Sequence, residues 1–181
     1  MLIVLTGKTA SGKDTVMTKL LLKYPKSERI ISTTSRELRQ GEKNGIDYKF
    51  ISREEFEKKI KSGDFLEYVE YGGNLYGTEK SQIEKSKFLT VFWRIDPSMA
   101  GKVKDLIKNI KLLVIYLTVS DEVVLQRLKR RHLGDAEINK RLSDDKNMWS
   151  QYKNTYDFVV ENIPGQLENT VAGIAKIIDN S

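Results

Sequence analysis

Short apolar runs and amphipathic segments alternate along most of the chain. Residues 2–6, 88–95, 111–119 and 157–160 have the length and the apolar character of core strands. Strands that alternate with helices in this way predict a parallel sheet with helices on both faces. We therefore expect an α/β protein that binds its ligands at the carboxyl ends of the strands.

Three segments carry apolar residues at helical spacing, and each predicts an amphipathic helix that packs on this sheet. The first follows residues 7–15, the second precedes residues 111–119, and the third covers residues 167–178. Their apolar faces consist of Val16, Met17, Leu20, Leu21 and Tyr24, of Ala100, Val103, Leu106, Ile107 and Ile110, and of Leu167, Val171, Ile174 and Ile178.

Residues 33–87 interrupt the alternation of strands and helices. Residues 65–71, FLEYVEY, alternate with period 2 and precede a Gly-Gly-Asn turn signal at residues 72–74. Before them, a short helix is predicted with Ser52 as its N-cap, Glu55 in a capping box and Gly63 at its end. These signals predict a small α+β lobe inserted into the parallel core.

A basic segment follows residue 123 and predicts two helices on either side of a break near Gly134. Most charge runs of this kind are solvated helix faces, and we expect two of its six cations to be functional. His132, the chain's single histidine, is interpreted as a surface residue. The six cations are Arg127, Lys129, Arg130, Arg131, Lys140 and Arg141.

The composition of the chain excludes or disfavours several classes of protein. The 181 residues suffice for one domain, and the absence of cysteine excludes disulfides and thiolate-bound zinc. The apolar run before Gly7 is too short for a signal peptide or a membrane span, so we expect a cytoplasmic protein that does not bind membranes. The net charge of +6 is scattered among 25 acidic residues, and we expect no nucleic-acid partner.

The strongest single motif is GKTASGKDT at residues 7–15. It fits the phosphate-binding pattern G-x-x-x-x-G-K-[ST] except at Asp14, and it stands between a predicted strand and a predicted helix, as the motif requires. In such a loop the backbone N–H groups surround phosphates and the lysine adds a positive charge. We predict that nucleotide phosphates bind Gly7, Lys8, Thr9, Ala10, Ser11, Gly12, Lys13, Asp14 and Thr15.

Together with the inserted lobe, this loop resembles guanylate kinase, the P-loop kinase that transfers a phosphoryl group from ATP to GMP. The resemblance rests on R-x-x-R-x-G-E-x-x-G-x-D-Y from Arg36 to Tyr48, on GDFLEYVEYGGNLYGT and on a final YDFVVEN, and it covers nearly the whole chain. It implies a three-layer α/β/α P-loop kinase with a parallel central sheet, an α+β acceptor lobe and a helical lid.

The resemblance also implies how residues 1–181 are divided. A single domain would consist of a core at residues 1–32, 88–123 and 146–181, a GMP-binding lobe at residues 33–87 and a lid at residues 124–145. The sequence assigns no oligomeric state.

A GMP site of eight residues is implied by the same resemblance. Four residues would hold the phosphate, and the guanidinium groups among them suit a phosphate dianion. Glu67 would accept the adjacent N1–H and N2–H donors of guanine. Taken alone, the arginines fit equally a solvated turn with ion pairs to Glu37 and Glu42, and Glu67 fits a solvated strand. The phosphate residues are Arg36, Arg39, Tyr48 and Tyr76, and the base residues are Ser32, Glu67, Thr78 and Asp96.

For the reaction, the resemblance implies in-line transfer of the γ-phosphoryl group of MgATP to GMP, and also to dGMP, in purine nucleotide metabolism. Such a transfer needs positioning and charge neutralisation more than covalent chemistry. Because the run between the lid arginines is one residue shorter than is usual in the family, Arg130 is an alternative to Arg131. The expected catalytic residues are Lys13, Arg36, Arg39, Arg131 and Arg141.

Two positions depart from the family pattern. The family usually has Ser or Thr at position 14, and its corresponding strand ends in D-I-D where this chain has Arg94-Ile95-Asp96. Asp14 either holds magnesium, directly or through a water, or only caps the helix dipole while Thr15 or water serves the metal. A third interpretation is loss of activity. Arg94 is expected to pair with Asp14 or to reach a phosphate.

Two other functions remain open at this point. One is a kinase of this fold with another small phosphorylated acceptor, and the intact Glu67 and Asp96 disfavour it. The other is a non-catalytic binding module, since guanylate-kinase-like domains also serve as phosphopeptide-binding scaffolds. Such scaffolds typically lack the loop lysine and the lid arginines, which this chain keeps.

Overall fold

The computed structural model describes residues 1–71 and 73–181 of the chain. In this part, helices and strands alternate as the apolar pattern predicts. The strands are β1 Leu2–Gly7, β2 Glu28–Arg29, β3 Thr33–Thr34, β4 Lys49–Phe50, β5 Phe65–Tyr71, β6 Asn74–Glu79, β7 Val91–Arg94, β8 Leu112–Thr118 and β9 Phe158–Glu161. The helices are α1 Lys13–Lys23, α2 Arg53–Lys61, α3 Lys80–Glu84, α4 Pro97–Leu106, α5 Asp121–Arg130, α6 Asp135–Tyr152 and α7 Leu167–Asp179, with a 3₁₀ turn at Lys85–Lys87.

The central sheet is parallel, as predicted. Among the described residues its order is β2-β7-β1-β8-β9, and the buried strand β1 pairs with β7 and β8. Because every pairing in this sheet is parallel, the carboxyl ends of β1, β7 and β8 lie at one edge. The segments that follow these strands, which include residues 7–15 and Asp96, therefore come close together.

Helices cover both faces of this sheet, which confirms the three-layer prediction. On one face, α4 and α6 pack against inward-facing residues of the strands, such as Val4 and Trp93. On the other face, α1 and α7 pack against residues such as Ile3 and Phe92. Each amphipathic helix buries most of its predicted apolar face because the strands are apolar on both sides.

Several predicted boundaries and burials are wrong in detail. The strand predicted at residues 88–95 begins at Val91, since the 3₁₀ turn comes just before it, and Phe88 is 88% exposed. Residues 157–160 contribute to an edge strand rather than a core strand, and Phe158 and Val159 remain exposed. On the second amphipathic segment, Leu106 is exposed and Ile110 lies beyond the end of α4.

A second, smaller sheet forms the inserted α+β lobe. Its order is β4-β3-β6-β5 within the described residues, and α2 packs on it through Phe56, whose ring stacks on that of Phe65 at 4.3 Å between centroids. The Oγ atom of Ser52 accepts the backbone N–H of Glu55 at 3.1 Å, and Gly63 adopts a φ of 72° just after the helix, as the capping signals predict. The turn predicted at residues 72–74 includes Gly72, which lies outside the described residues.

Helices α5 and α6 flank a break at residues 131–134, in agreement with the prediction. His132 lies exposed in this break with a φ of 57°. Helix α6 continues to Tyr152 and packs against α4, so the expected boundary between lid and core at residues 145 and 146 falls inside one helix. None of the described helices is both long enough and apolar enough to cross a bilayer.

The contact between α4 and α6 predicts a large difference between two glycine-to-alanine substitutions. An added Cβ at Gly101 would lie 2.1 Å from the Cδ1 atom of Tyr152, so Gly101→Ala should lower the free energy of unfolding by about 1–3 kcal/mol. Gly173 is exposed in α7, and no described atom lies within 4 Å of its added Cβ. Gly173→Ala should therefore stabilise by roughly 0.5–1 kcal/mol. Denaturant unfolding measures both values, and equal effects would contradict this packing.

Candidate active site

The turn between β1 and α1 requires glycine at both of its motif positions. Gly7 has a φ of 143°, and a Cβ there would lie 2.0 Å from the carbonyl oxygen of Leu117. Gly12 has a φ of 92°, and its Cβ would lie 2.6 Å from the Nδ2 atom of Asn162. The two glycines therefore shape a tight loop whose backbone precedes the N-terminus of α1, and such a loop binds anions.

Lys13 folds back across this loop. Its ammonium donates to the carbonyl oxygens of Gly7 and Lys8 at 2.8 and 2.7 Å. Burial lowers the pKa of Lys13 to about 8, and the charge of Asp145 opposes this shift. Lys13 therefore lies at the start of the loop, where an arriving phosphate would favour its charged form.

Side chains from the two lid helices contact the backbone of the loop. Asp145 of α6 accepts the N–H of Thr9 with both oxygens, at 3.1 and 2.9 Å. Arg127 of α5 donates to the carbonyl oxygen of Ala10 at 2.7 Å. No pattern in the sequence singles out Asp145, because a carboxylate on a polar helix resembles any solvated residue.

Asn162 is a second residue that the sequence interpretation did not assign. It is buried directly after β9, where its amide donates to the carbonyl oxygen of Ser11 at 2.8 Å and accepts from the hydroxyl of Thr170 at 3.1 Å. It also lines a pocket of about 310 Å³ together with Arg127 and Arg131. The sequence feature that could have identified Asn162 is its position in YDFVVEN, at the carboxyl end of a predicted strand.

The two departures from the family pattern contact each other. Arg94, the last residue of β7, forms an ion pair with Asp14 in the first turn of α1. Asp14 keeps a side chain that is 73% exposed. In the described part of the chain no three or more His, Cys, Asp or Glu side chains form a metal-binding cluster. Mg²⁺ commonly uses one or two carboxylates together with phosphates and waters, so a solvent-facing Asp14 fits such an ion.

Three of the four residues predicted to hold the acceptor phosphate lie together in the lobe. The guanidinium of Arg36 lies 5.6 Å from the ring centroid of Tyr48, whose ring lies 6.0 Å from that of Tyr76. Arg39 is exposed, and its backbone N–H donates to Glu42 at 2.8 Å.

Arg36 is held by a carboxylate of the same lobe. Its two terminal nitrogens donate to Glu42 at 2.7 and 3.0 Å, and its side chain is only 10% exposed. The hydrogen bonds from Arg36 lower the pKa of Glu42 to about 2. The ion pair that the sequence offered as an alternative to phosphate binding is therefore present, and it fixes the direction of the guanidinium.

The residues predicted to bind the guanine base include two carboxylates, Glu67 and Asp96, and we call the place where they lie the acidic recess. Glu67 of β5 pairs in register with the buried Thr78 of β6. Burial raises the pKa of Glu67, Thr78 opposes this shift, and the negative charge of Asp96 adds to it. Asp96 also caps α4 by accepting the N–H groups of Ser98 and Met99 at 2.9 and 3.1 Å.

The remaining predicted site residues are Ser32, Arg131 and Arg141. Ser32 is half-buried, and its carbonyl oxygen accepts the N–H of Lys49 at 2.9 Å. Arg131 is exposed beside the loop. Burial is the main cause of the lowered pKa of Lys13, and the positive charge of Arg131 lowers it further. Arg141 pairs with Glu137, one turn earlier on α6, at 2.7 Å.

One pocket of about 290 Å³ connects the loop to the acidic recess. Gly7, Thr9 and Lys13 line it on the side of the loop, and Arg94 and Asp96 line it on the side of β7. Asp145 also faces this pocket. An anion bound on the loop and a ligand bound beside Asp96 would therefore share this pocket.

Comparison with known proteins gives consistent matches along the chain. A family model described as guanylate kinase matches residues 1–181. The guanylate kinase of Fusobacterium nucleatum subsp. nucleatum is 35% identical over 181 residues, which cover 99% of this chain and 96% of that protein. The guanylate kinase of Sus scrofa is 36% identical over 149 residues, which cover 78% of this chain and 73% of that protein.

A solved structure gives the same result for the fold. The crystal structure of guanylate kinase from Anaplasma phagocytophilum superposes with a TM-score of 0.72 at 27% identity. The match covers 99% of this chain and 84% of that chain. The similarity therefore extends over the loop, both sheets and the two lid helices.

The position of Lys13 predicts an unusual titration. In protein carrying ¹³C at the ε-carbon of lysine, the Lys13 resonance should titrate with a midpoint near pH 8, because burial disfavours its charged form. Asp145→Asn should lower this midpoint further, since the carboxylate opposes the shift. The resonance is assigned by its loss in Lys13→Arg. A midpoint close to the ordinary lysine value of about 10.4 would contradict the burial of this ammonium.

Proposed function

The chain belongs to the guanylate kinase family, and we propose that it transfers the γ-phosphoryl group of ATP to GMP, forming ADP and GDP. This activity serves purine nucleotide metabolism. The observation that carries the proposal is the single pocket that has Lys13 of the loop on one side and Asp96 of the acidic recess on the other. A donor bound on the loop and an acceptor bound beside Asp96 would therefore lie on two sides of one pocket, and such proximity favours transfer between them.

The donor binds the loop at residues 7–15. Backbone N–H groups and the N-terminus of α1 bind the phosphates, and Lys13 neutralises part of their charge. Arg127 and Asn162 keep the loop in shape through its carbonyl oxygens at Ala10 and Ser11. The loop therefore has its phosphate-binding geometry before the phosphates bind.

The acceptor phosphate binds Arg36, Arg39, Tyr48 and Tyr76 in the lobe at residues 33–87. Glu42 accepts from the two terminal nitrogens of Arg36, and the five N–H donors of a guanidinium leave others for a phosphate. The ion pair with Glu42 therefore supports phosphate binding, because it orients Arg36 without using all of its donors.

Guanine is selected by the acidic recess. The ionised carboxylate of Glu67 accepts the N1–H and N2–H groups of guanine together, with Ser32, Thr78 and Asp96 around the base. Adenine presents an acceptor at N1, which the carboxylate repels. Burial and Asp96 raise the pKa of Glu67, so the ionised form, and with it GMP binding, is lost at a higher pH than for an exposed glutamate.

The transfer itself is in line and depends on charge neutralisation and on the exclusion of water. Lys13, Arg36 and Arg39 provide charge from the core and the lobe, and Arg131 and Arg141 provide it from the lid at residues 124–145. Arg141 leaves Glu137 when the lid closes on both nucleotides. Closure on both nucleotides excludes water, so the phosphoryl group is transferred to GMP rather than to water.

Magnesium accompanies ATP in this proposal and would neutralise charge on the β- and γ-phosphates. Asp14 would hold the ion directly or through a water, and Arg94 balances the carboxylate until the metal binds. Binding to nucleic acid or to membranes is not part of the proposal, dGMP is an expected second acceptor, and the cytoplasmic location stays a prediction.

Base selection gives the direct test of this function. In a coupled assay of ADP release, GMP and dGMP should be phosphorylated, and AMP, CMP and UMP should react far more slowly. Glu67→Gln presents an amide nitrogen to a guanine donor and should reduce kcat/KM for GMP by a factor of about 10². Glu70→Gln, on an exposed residue of the same strand, is the matched control. Equal turnover of AMP and GMP by the wild type would contradict the proposal.

The metal role of Asp14 has its own test. Asp14→Asn should raise the magnesium concentration for half-maximal rate by more than it changes the KM for GMP, because the amide is a weaker ligand for a hard cation. The double variant Asp14→Ser with Arg94→Asp restores the family arrangement and should recover much of the loss. Calorimetry of ATP binding at varied magnesium gives the readout without turnover. An unchanged magnesium dependence in Asp14→Asn would refute the role.

A further inference from the structure

The carboxylate of Asp145 has no task in the reaction described above, although it contacts the phosphate loop directly. Both of its oxygens accept the backbone N–H of Thr9, at 3.1 and 2.9 Å. The side chain reaches the loop from α6 and is half-buried. Burial raises the pKa of Asp145, while the N–H of Thr9 and the charges of Lys13 and Lys8 oppose this shift.

This carboxylate lies at the end of the loop that faces the acceptor. The ammonium of Lys13 is bound to the carbonyl oxygens of Gly7 and Lys8, so it lies at the same end. In a loop of this kind the lysine reaches the β- and γ-phosphates, so the γ-phosphoryl group lies at the end of the loop beside Lys13. Asp145 exerts the largest charge effect on the pKa of Lys13, which shows that the two groups are near each other.

The connecting pocket leads to the same position. Asp145 lines it together with Thr9 and Lys13 of the loop and with Asp96 of the acidic recess. A phosphoryl group moving from donor to acceptor has to cross this space. The N–H of Thr9 offers a single hydrogen, and a carboxylate repels a phosphate, so Asp145 and the γ-phosphoryl group exclude each other here.

We propose that Asp145 is a displaceable internal anion, which occupies the γ-phosphoryl position of the phosphate loop in the nucleotide-free protein and thereby weakens the binding of ATP relative to ADP. ADP lacks the γ-phosphoryl group, so the loop accommodates ADP and Asp145 together. ATP has to displace the carboxylate from Thr9. This inference rests on the proposed function, because it assumes that the loop binds ATP.

Calorimetry in the presence of magnesium tests the inference with ADP and with the β,γ-imido analogue of ATP. Asp145→Asn should bind the ATP analogue about tenfold more tightly than the wild type, with an affinity for ADP within about twofold of the wild-type value. A tenfold gain corresponds to a carboxylate that occupies the loop about 90% of the time. Asparagine is nearly isosteric with aspartate, and Asp145→Ala provides a second measurement with the same expected sign.

Asp144→Asn is the matched control, because it removes one negative charge from the neighbouring, exposed position of α6. The same gain in Asp144→Asn would overturn the inference, since it would reflect the charge of the helix alone. Weaker binding of the ATP analogue to Asp145→Asn would also overturn it, since the carboxylate would then support the nucleotide. If both nucleotides bind the wild type and their affinity ratio does not change, only this inference fails. If neither binds, the proposed function fails with it.

Discussion

The close contact between Gly7 and β8 is the constraint on which the rest of the site depends. An added Cβ at Gly7 would lie 2.0 Å from the carbonyl oxygen of Leu117, and the same oxygen accepts the N–H of Lys8 at 3.0 Å. The chain is thus fixed to the neighbouring strand exactly where β1 ends, so the loop must rise from the carboxyl edge of the sheet. The end of β7 lies at the same edge, which brings Arg94 and Asp96 opposite the loop.

Several groups that are predicted to bind anions have a protein partner in the structure. The carbonyl oxygens of Gly7 and Lys8 hold Lys13, and carboxylates hold Arg36, Arg94 and the N–H of Thr9. A buried or half-buried cation without a partner would destabilise the fold, because desolvation disfavours its charge. In the proposed function, the internal partners therefore keep the phosphate-binding groups in place before phosphates arrive, and the substrates compete with some of these partners.

The sequence predicted those parts of the molecule that a local pattern determines. The phosphate loop was found because glycines at fixed spacing are required by its backbone, and the amphipathic helices were found because burial recurs at their period. Strand β2 was missed because two residues show no periodicity. Asp145 and Asn162 were missed because their importance comes from contacts with residues far away in the chain. For Asp145 no local signal distinguishes the side chain from a solvated polar residue, whereas Asn162 had only its position after a predicted strand.

Helix α6 joins three parts of the molecule that the reaction has to coordinate. It carries Arg141 of the lid, Asp145 at the loop and Tyr152, which packs against Gly101 of the core. Arg141 and Tyr152 are separated by about 16 Å along the axis at 1.5 Å per residue, and a helix moves over such a length as one rigid unit. In the proposed reaction the γ-phosphoryl group displaces Asp145 from Thr9, and a shift of α6 in that step would move Arg141 as well. The break at residues 131–134 is where the backbone can absorb this movement, since the helix itself cannot bend without losing hydrogen bonds. In the proposed reaction, arrival of the γ-phosphoryl group and repositioning of Arg141 are therefore linked through one helix.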